Sequence, residues 1–151
     1  MKKLLFFTAL IILSFNEINA QVEYKIVTSI ESIVPMGAGR SRLVSFNENK
    51  DYKEFTSVRS GEKGKDSRNK SDRGEIRVKD FEETKLLNFY NIGGIRFQNI
   101  AANDALVTSK INTMISEGWE LAFVTSAVES EGGKGDGQGI FITRYIFKRN
   151  K

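Results

Sequence analysis

Between Leu106 and Phe123 the spacing of apolar residues changes once, and a glycine stands at the change. Leu106, Val107, Ile111, Met114 and Ile115 recur at three and four residues, the stripe of an amphipathic helix. From Trp119 onward, Leu121, Phe123 and Thr125 alternate with Glu120, Ala122, Val124 and Ser126, the period of a strand. Gly118 adopts a positive φ at little cost, so it can turn the chain from helix to strand. Asn103 or Asp104 is expected to cap the helix start. Trp119 then fills the angle between the two elements with a large apolar area, a structural role favoured over stacking on a ligand. Trp119, Leu121, Phe123 and, from the last strand, Phe147 are the expected core.

Other strands follow from alternation. Val22, Tyr24 and Ile26 alternate with Glu23 and Lys25, and Val27, Thr28 and Ile30 extend the run. Pro35, Gly37 and Gly39 interrupt the chain, and Leu43, Val44 and Phe46 resume it, so a hairpin around Met36 to Arg40 is expected. At the far end, Ile140, Ile142 and Ile146 fall on one face of a strand, with Phe141, Tyr145 and Phe147 on the other. Both faces are apolar. One should pack on the helix, and the other needs cover from residues 81 to 100 or from a second subunit.

Three stretches resist that pattern. Residues 59 to 75 hold six basic, four acidic and no apolar side chains, a composition unable to offset its own ordering entropy. They are expected to form a flexible charged loop, its flanks (Tyr52, Phe55, Val58; Ile76, Val78, Phe81) paired as strands. Residues 86 to 100 are apolar but irregular, broken by Gly93 and Gly94, and fit a short helical turn and a tight connection. Glu129 to Gly139 contains five glycines and three acids, the make-up of a long flexible turn. The fold class expected is α+β: a small, mainly antiparallel sheet packed on one principal helix, with an extra inserted β-hairpin and loop.

The N-terminus is read as a signal peptide of residues 1 to 20. Met1, Lys2 and Lys3 give a positive start, and Leu4 to Phe15 is apolar apart from Thr8 and Ser14. As a helix this run reaches about 18 Å, short of a hydrocarbon core of about 30 Å, so no transmembrane anchor is expected once it is cleaved after Ala20. Residues 21 to 151 then form a single domain, exported to the periplasm or beyond. Taking Lys2, Lys3 and Glu17 from 23 basic and 19 acidic side chains leaves 21 and 18, a net charge of +3. Such a charge does not make a polyanion receptor, and nucleic acid is not an expected partner. With no Cys, the fold must rest on apolar burial and hydrogen bonds rather than disulfides.

The opening strand Glu23-Tyr24-Lys25-Ile26-Val27, the junction Glu117-Gly118-Trp119-Glu120-Leu121 and the ending Phe147-Lys148-Arg149 together resemble a widespread family of small bacterial domains of unknown function, number 4177 in that series. The resemblance covers residues 22 to 30 and 103 to 149 and implies a strand, a helix and a hairpin. It implies no activity, cofactor or catalytic residue. About seventy residues, Glu31 to Ala102, stand where the family has a short link, so any function peculiar to this chain is expected there.

Absent side chains exclude most chemistry. Without His or Cys there is no imidazole base, no thiol nucleophile and no common transition-metal ligand. No Gly-x-Ser-x-Gly elbow or phosphate-cradling glycine motif occurs either. Carboxylates remain, with Asp104, Glu117, Glu120, Glu129, Glu131 and Asp136 as the pool, but no spacing singles out a pair. Glu129, Glu131 and Asp136 lack an EF-hand pattern, and a solvated turn is favoured over a Ca²⁺ site. Arg40 and Arg42 are candidate contacts for an anionic ligand, with the charged loop behind them. No catalytic residue, metal or cofactor is assigned. The expectation is a non-enzymatic exported module that binds a protein or envelope component, or forms a homo-oligomer; the alternative is a carboxylate-based hydrolase or lyase.

Overall fold

A computed structural model of the chain describes residues 21–32, 41–91, 93–129 and 139–151. The segment 1 to 20 read as a signal peptide, the turn expected at 36 to 40 with Arg40, and the turn acids Glu131 and Asp136 lie outside the described residues. The fold is α+β. Strands β1 (Val22–Ser32), β2 (Arg42–Phe46), β3 (Phe81–Lys85), β6 (Glu120–Val128) and β7 (Ile140–Asn150) form one antiparallel sheet in the order β3-β2-β1-β7-β6. Strands β4 (Tyr90–Asn91) and β5 (Gly94–Ile95) make a separate two-stranded ribbon. Helix α1 (Arg73–Ile76) is a single turn, and α2 (Phe97–Ser116) is the principal helix.

Strands β1 and β7 pair along their whole length, from Val22 opposite Asn150 to Ser32 opposite Ile140. Paired residues share a face, so Val27 and Tyr145 lie on one side and Ile26 and Ile146 on the other. Helix α2 covers the first side. Val27, Leu43, Leu86, Met114, Trp119 and Phe147 form the buried core, with Val107, Ile111, Leu121 and Tyr145 packed against it. Phe147 is completely buried and Trp119 is 7% exposed. The Trp119 ring also carries the Arg149 guanidinium 4.2 Å from its centroid, a cation–π contact at the sheet end.

The junction forms as its glycine requires. Gly118 has φ 86°, its N–H donates to Ile115 O at 3.0 Å, and the Trp119 N–H donates to Met114 O at 3.0 Å. This pair of bonds is a Schellman ending, which satisfies carbonyls the helix would otherwise leave bare.

Three expectations are corrected. The helix begins at Phe97, not at Asn103 or Asp104, and the residue that precedes it in the capping position, Arg96, makes no side-chain cap. Asn103 instead lies inside the helix and is buried. Phe123 does not belong to the core: it is 62% exposed. The cause is a register shift in β6, where Leu121 pairs with Phe147 but Phe123 pairs with Ile146, so Ala122 is an extra residue and Phe123 turns to the opposite face.

The third correction concerns the charged insertion. Of its flanks only Phe81 pairs in a strand, opposite Phe46, while Tyr52 and Phe55 lie in a 3-10 turn (Tyr52–Phe55) and Ile76 ends α1; the hairpin is made farther from the loop, by β2 on β3. Residues 59 to 75 contribute nothing to the core but are tied locally. Val58 and Ser67 exchange backbone bonds of 2.9 and 3.0 Å, and Asp66 accepts from the Ser60 N–H and the Arg59 guanidinium, both at 3.0 Å. Those two donors hold the Asp66 carboxyl below its usual range, the Ser60 amide most strongly. Ahead of the insertion, the Lys50 ammonium and the Lys79 amide bring the half-buried Glu48 carboxyl down to about 2.

Candidate functional site

Asn103 builds the first site. It sits four residues before Val107 in the inward stripe of α2, and the residue is 1% exposed. Its amide oxygen accepts from the Leu87 N–H at 2.8 Å, and its NH₂ donates to Leu87 O at 2.7 Å and to Glu31 Oε1 at 2.8 Å. One side chain thus satisfies both backbone groups of a segment that belongs to no strand. The same segment is held by Ser41, whose hydroxyl donates to Asn88 Oδ1 at 2.7 Å and accepts from the Ser32 N–H at 3.0 Å, and by Asn99, which donates to Asn88 O at 2.7 Å. Residues 86 to 89 are therefore pinned on the helix side of the sheet. Leu86 enters the core, and Phe89 meets Phe141 edge to face with centroids 5.5 Å apart.

Beside this network opens a cleft of about 460 Å³ between the first half of α2 and the ends of β6 and β7. Glu31, Asp104, Phe89, Phe141 and Ile100 line it, together with Ser126 and Thr143, whose hydroxyls are bonded to each other at 2.8 Å. Asp104 was in the carboxylate pool; Glu31 was not. The signal for Glu31 was strand parity, since it shares a face with Val27 and Ser29 and so points to the covered side.

The remaining candidates are dispersed. Arg42 opens β2, where its guanidinium pairs with the Glu83 carboxylate and donates to Ser41 O at 2.8 Å. Glu120 pairs with Lys148 at 3.3 Å, Glu117 caps the end of α2, and the Glu129 N–H donates to Ile140 O at 2.9 Å. Among the described residues no three acidic, His or Cys side chains come together as a metal site.

The second candidate is the sheet face that α2 does not cover. Ile26, Ile30, Val44, Ile142 and Ile146 lie on it half-buried or exposed, with Phe123 and Tyr24 standing out. At its margins the two edge strands differ. Strand β3 reads Phe-Glu-Glu-Thr-Lys, with Glu82 tied to Lys110 at 2.7 Å and Glu83 to Arg42. Strand β6 carries no charge from Leu121 to Val128, and its register is unbroken from Phe123 onward.

No family model, curated protein or solved structure matches the chain. Among the described residues no helix is long and apolar enough to cross a membrane.

Proposed function

We propose that this chain is a non-enzymatic exported module of the cell envelope that self-associates through the edge of β6 and the open sheet face beside it. The observation that carries this reading is the contrast between the edges. Protein sheets ordinarily blunt an edge with charge, shortness or a bulge, because its unpaired backbone groups otherwise recruit another strand. Strand β3 is short and charged; β6 has nine residues, a bulge only near its start, and exposed Phe123 and Val128. Pairing two β6 strands about a two-fold axis is self-complementary and sets the two open faces side by side.

Export is supported by the basic start and short apolar run of residues 1 to 15. The likeness to the 4177 family of small bacterial domains, carried by the Gly118-Trp119-Glu120-Leu121 junction, supports the helix-to-hairpin arrangement and brings no activity with it. Sedimentation velocity tests the proposal. The purified protein is expected to run as a dimer at micromolar concentration, and Phe123→Glu with Thr125→Glu is expected to yield a folded monomer. A monomeric wild type, or a doubly substituted protein that still dimerises, overturns it.

A second reading, hydrolysis or elimination by carboxylates, rests on Glu31 and Asp104 lining one cleft. It is the weaker, because Glu31 accepts a bond from Asn103 and the cleft hydroxyls of Ser126 and Thr143 bond to each other rather than to a base.

A further inference from the structure

We infer that the cleft between α2 and the β6–β7 hairpin is a binding site for a small amphiphilic cation, an ammonium group carried on an aromatic or aliphatic body. The cleft lies on the covered side of the sheet, but Ser126, Ala127 and Val128 of β6 line it, so its test is also run on a monomeric variant to keep this inference apart from self-association.

Size and lining come first. A volume of about 460 Å³ falls within the span of small-molecule sites, roughly 300–1,000 Å³. Its walls combine Phe89, Phe141 and Ile100 with few polar groups. The aromatic pair offers both apolar contact and ring surface able to attract a cation.

Charge then selects the ligand. Among the described residues lining the cleft, the ionisable ones are Glu31 and Asp104, both acidic, with no Lys or Arg to neutralise them. Glu31 is the more telling. It occupies a position of β1 that shares its face with core residues, where a carboxylate ordinarily requires a charged partner. Its bond comes instead from the neutral NH₂ of Asn103, itself buried and fixed by Leu87. That amide fixes the carboxylate in place, and among the described residues lining the cleft no cation compensates its charge. Asp104 adjoins Asn103 on α2 and lies four residues after Ile100, on the same side of the helix. An ammonium ion between the two acids, with its apolar body against Phe89 and Phe141, satisfies both halves of the cleft. A metal ion is the weaker fit, since among the described residues no three acidic side chains come together to hold one and the Ser126 and Thr143 hydroxyls are bonded to each other.

The test is a titration followed in ¹H–¹⁵N correlation spectra, with 2-phenylethylammonium as the probe and the isosteric, uncharged 2-phenylethanol as the control. Saturable shifts are expected at Phe89, Ile100 to Asp104, Ser126 to Val128 and Phe141 to Thr143. The ammonium should bind about tenfold or more tightly than the alcohol, and Glu31→Gln and Asp104→Asn should each reduce that preference. Glutamine at position 31 keeps the acceptor for Asn103; should that variant fail to fold, Asp104→Asn, on an exposed helical position, decides alone. Equal affinity for ammonium and alcohol, shifts scattered outside the cleft, or a preference untouched by Asp104→Asn overturns the inference. Repeating the titration on Phe123→Glu with Thr125→Glu separates the two proposals, because neither residue lines the cleft.

Discussion

The two faces of the five-stranded sheet are made by the same strands and are both rich in large apolar side chains, yet they meet different surroundings. On the helix side, Val27, Leu43 and Phe147 disappear beneath Met114 and Trp119. On the other, Ile26, Ile146 and Phe123 keep solvent contact. Hydrophobic composition does not separate the faces. Three local features do: the glycine that swings α2 back over the sheet, the Asn103 bonds that hold residues 86 to 89 on the same side, and the bulge at Ala122 that sends Phe123 across. Residues 81 to 100, one expected cover for the open face, have Leu86 and Phe89 committed to the covered one. Among the described residues the apolar open face is thus left without a cover, and the proposed self-association would supply one.

The largest effect should come from Phe147. Truncating a fully buried aromatic to Ala loses its transfer free energy and leaves a cavity, about 3–5 kcal/mol together. Phe123→Ala, the same chemical change on the open face of a neighbouring strand, should alter monomer stability by less than about 0.5 kcal/mol. Denaturant melts of both variants, at a concentration where Phe123→Glu with Thr125→Glu is monomeric, measure the difference. Comparable losses would erase the distinction between the faces.

Next comes the polar clamp. Asn103→Ala leaves the part-buried Leu87 N–H and C=O without the side chain that serves them, and at about 1 kcal/mol net for each hydrogen bond lost a loss of about 2 kcal/mol is expected. The loss should be accompanied by faster amide exchange at Leu87 and disturbed resonances of Phe89, while the open face stays unchanged. A loss below about 1 kcal/mol would mean that the apolar contacts of Leu86 and Phe89 suffice to hold the segment.

How far the sequence revealed this contrast depended on the range of the forces involved. Alternation in β1 and β7 is local, and it assigned Ile142 and Phe147 to opposite faces correctly. The Gly118-Trp119 junction was legible for the same reason, since helix termination depends on one residue's φ. Phe123 was misassigned because a bulge is a property of two paired strands, and nothing within Glu120 to Val128 marks Ala122 as the unpaired residue. Asn103 reads as a cap in the sequence because Asn favours helix starts and its partner, Leu87, lies sixteen residues away. Glu31 escaped notice as a site residue because its meaning arises only when α2, β6 and β7 enclose it.

The smallest effect lies at the margin of the covered face, where Glu82 of β3 pairs with Ser45 in the register and bonds Lys110 of α2 at 2.7 Å. The Lys110 ammonium, by hydrogen bond and then by charge, lowers the Glu82 carboxyl below the ordinary value of 4.5. A carboxyl whose pKa is depressed by folding adds stability that is fully present above its unfolded pKa and disappears as pH falls through the folded value. The contribution therefore holds at neutral pH and fades below about pH 4.5. Because the Glu82 side chain is 56% exposed, water and salt screen the pair, and its worth is under about 1 kcal/mol. Glu82→Gln should lie slightly below the wild type in thermal melts at pH 7, and the two curves should converge as acid protonates Glu82. A gap that persists below the folded pKa would show that the helix is tied to β3 by packing instead of charge, making this margin an apolar contact like the centre of the covered face.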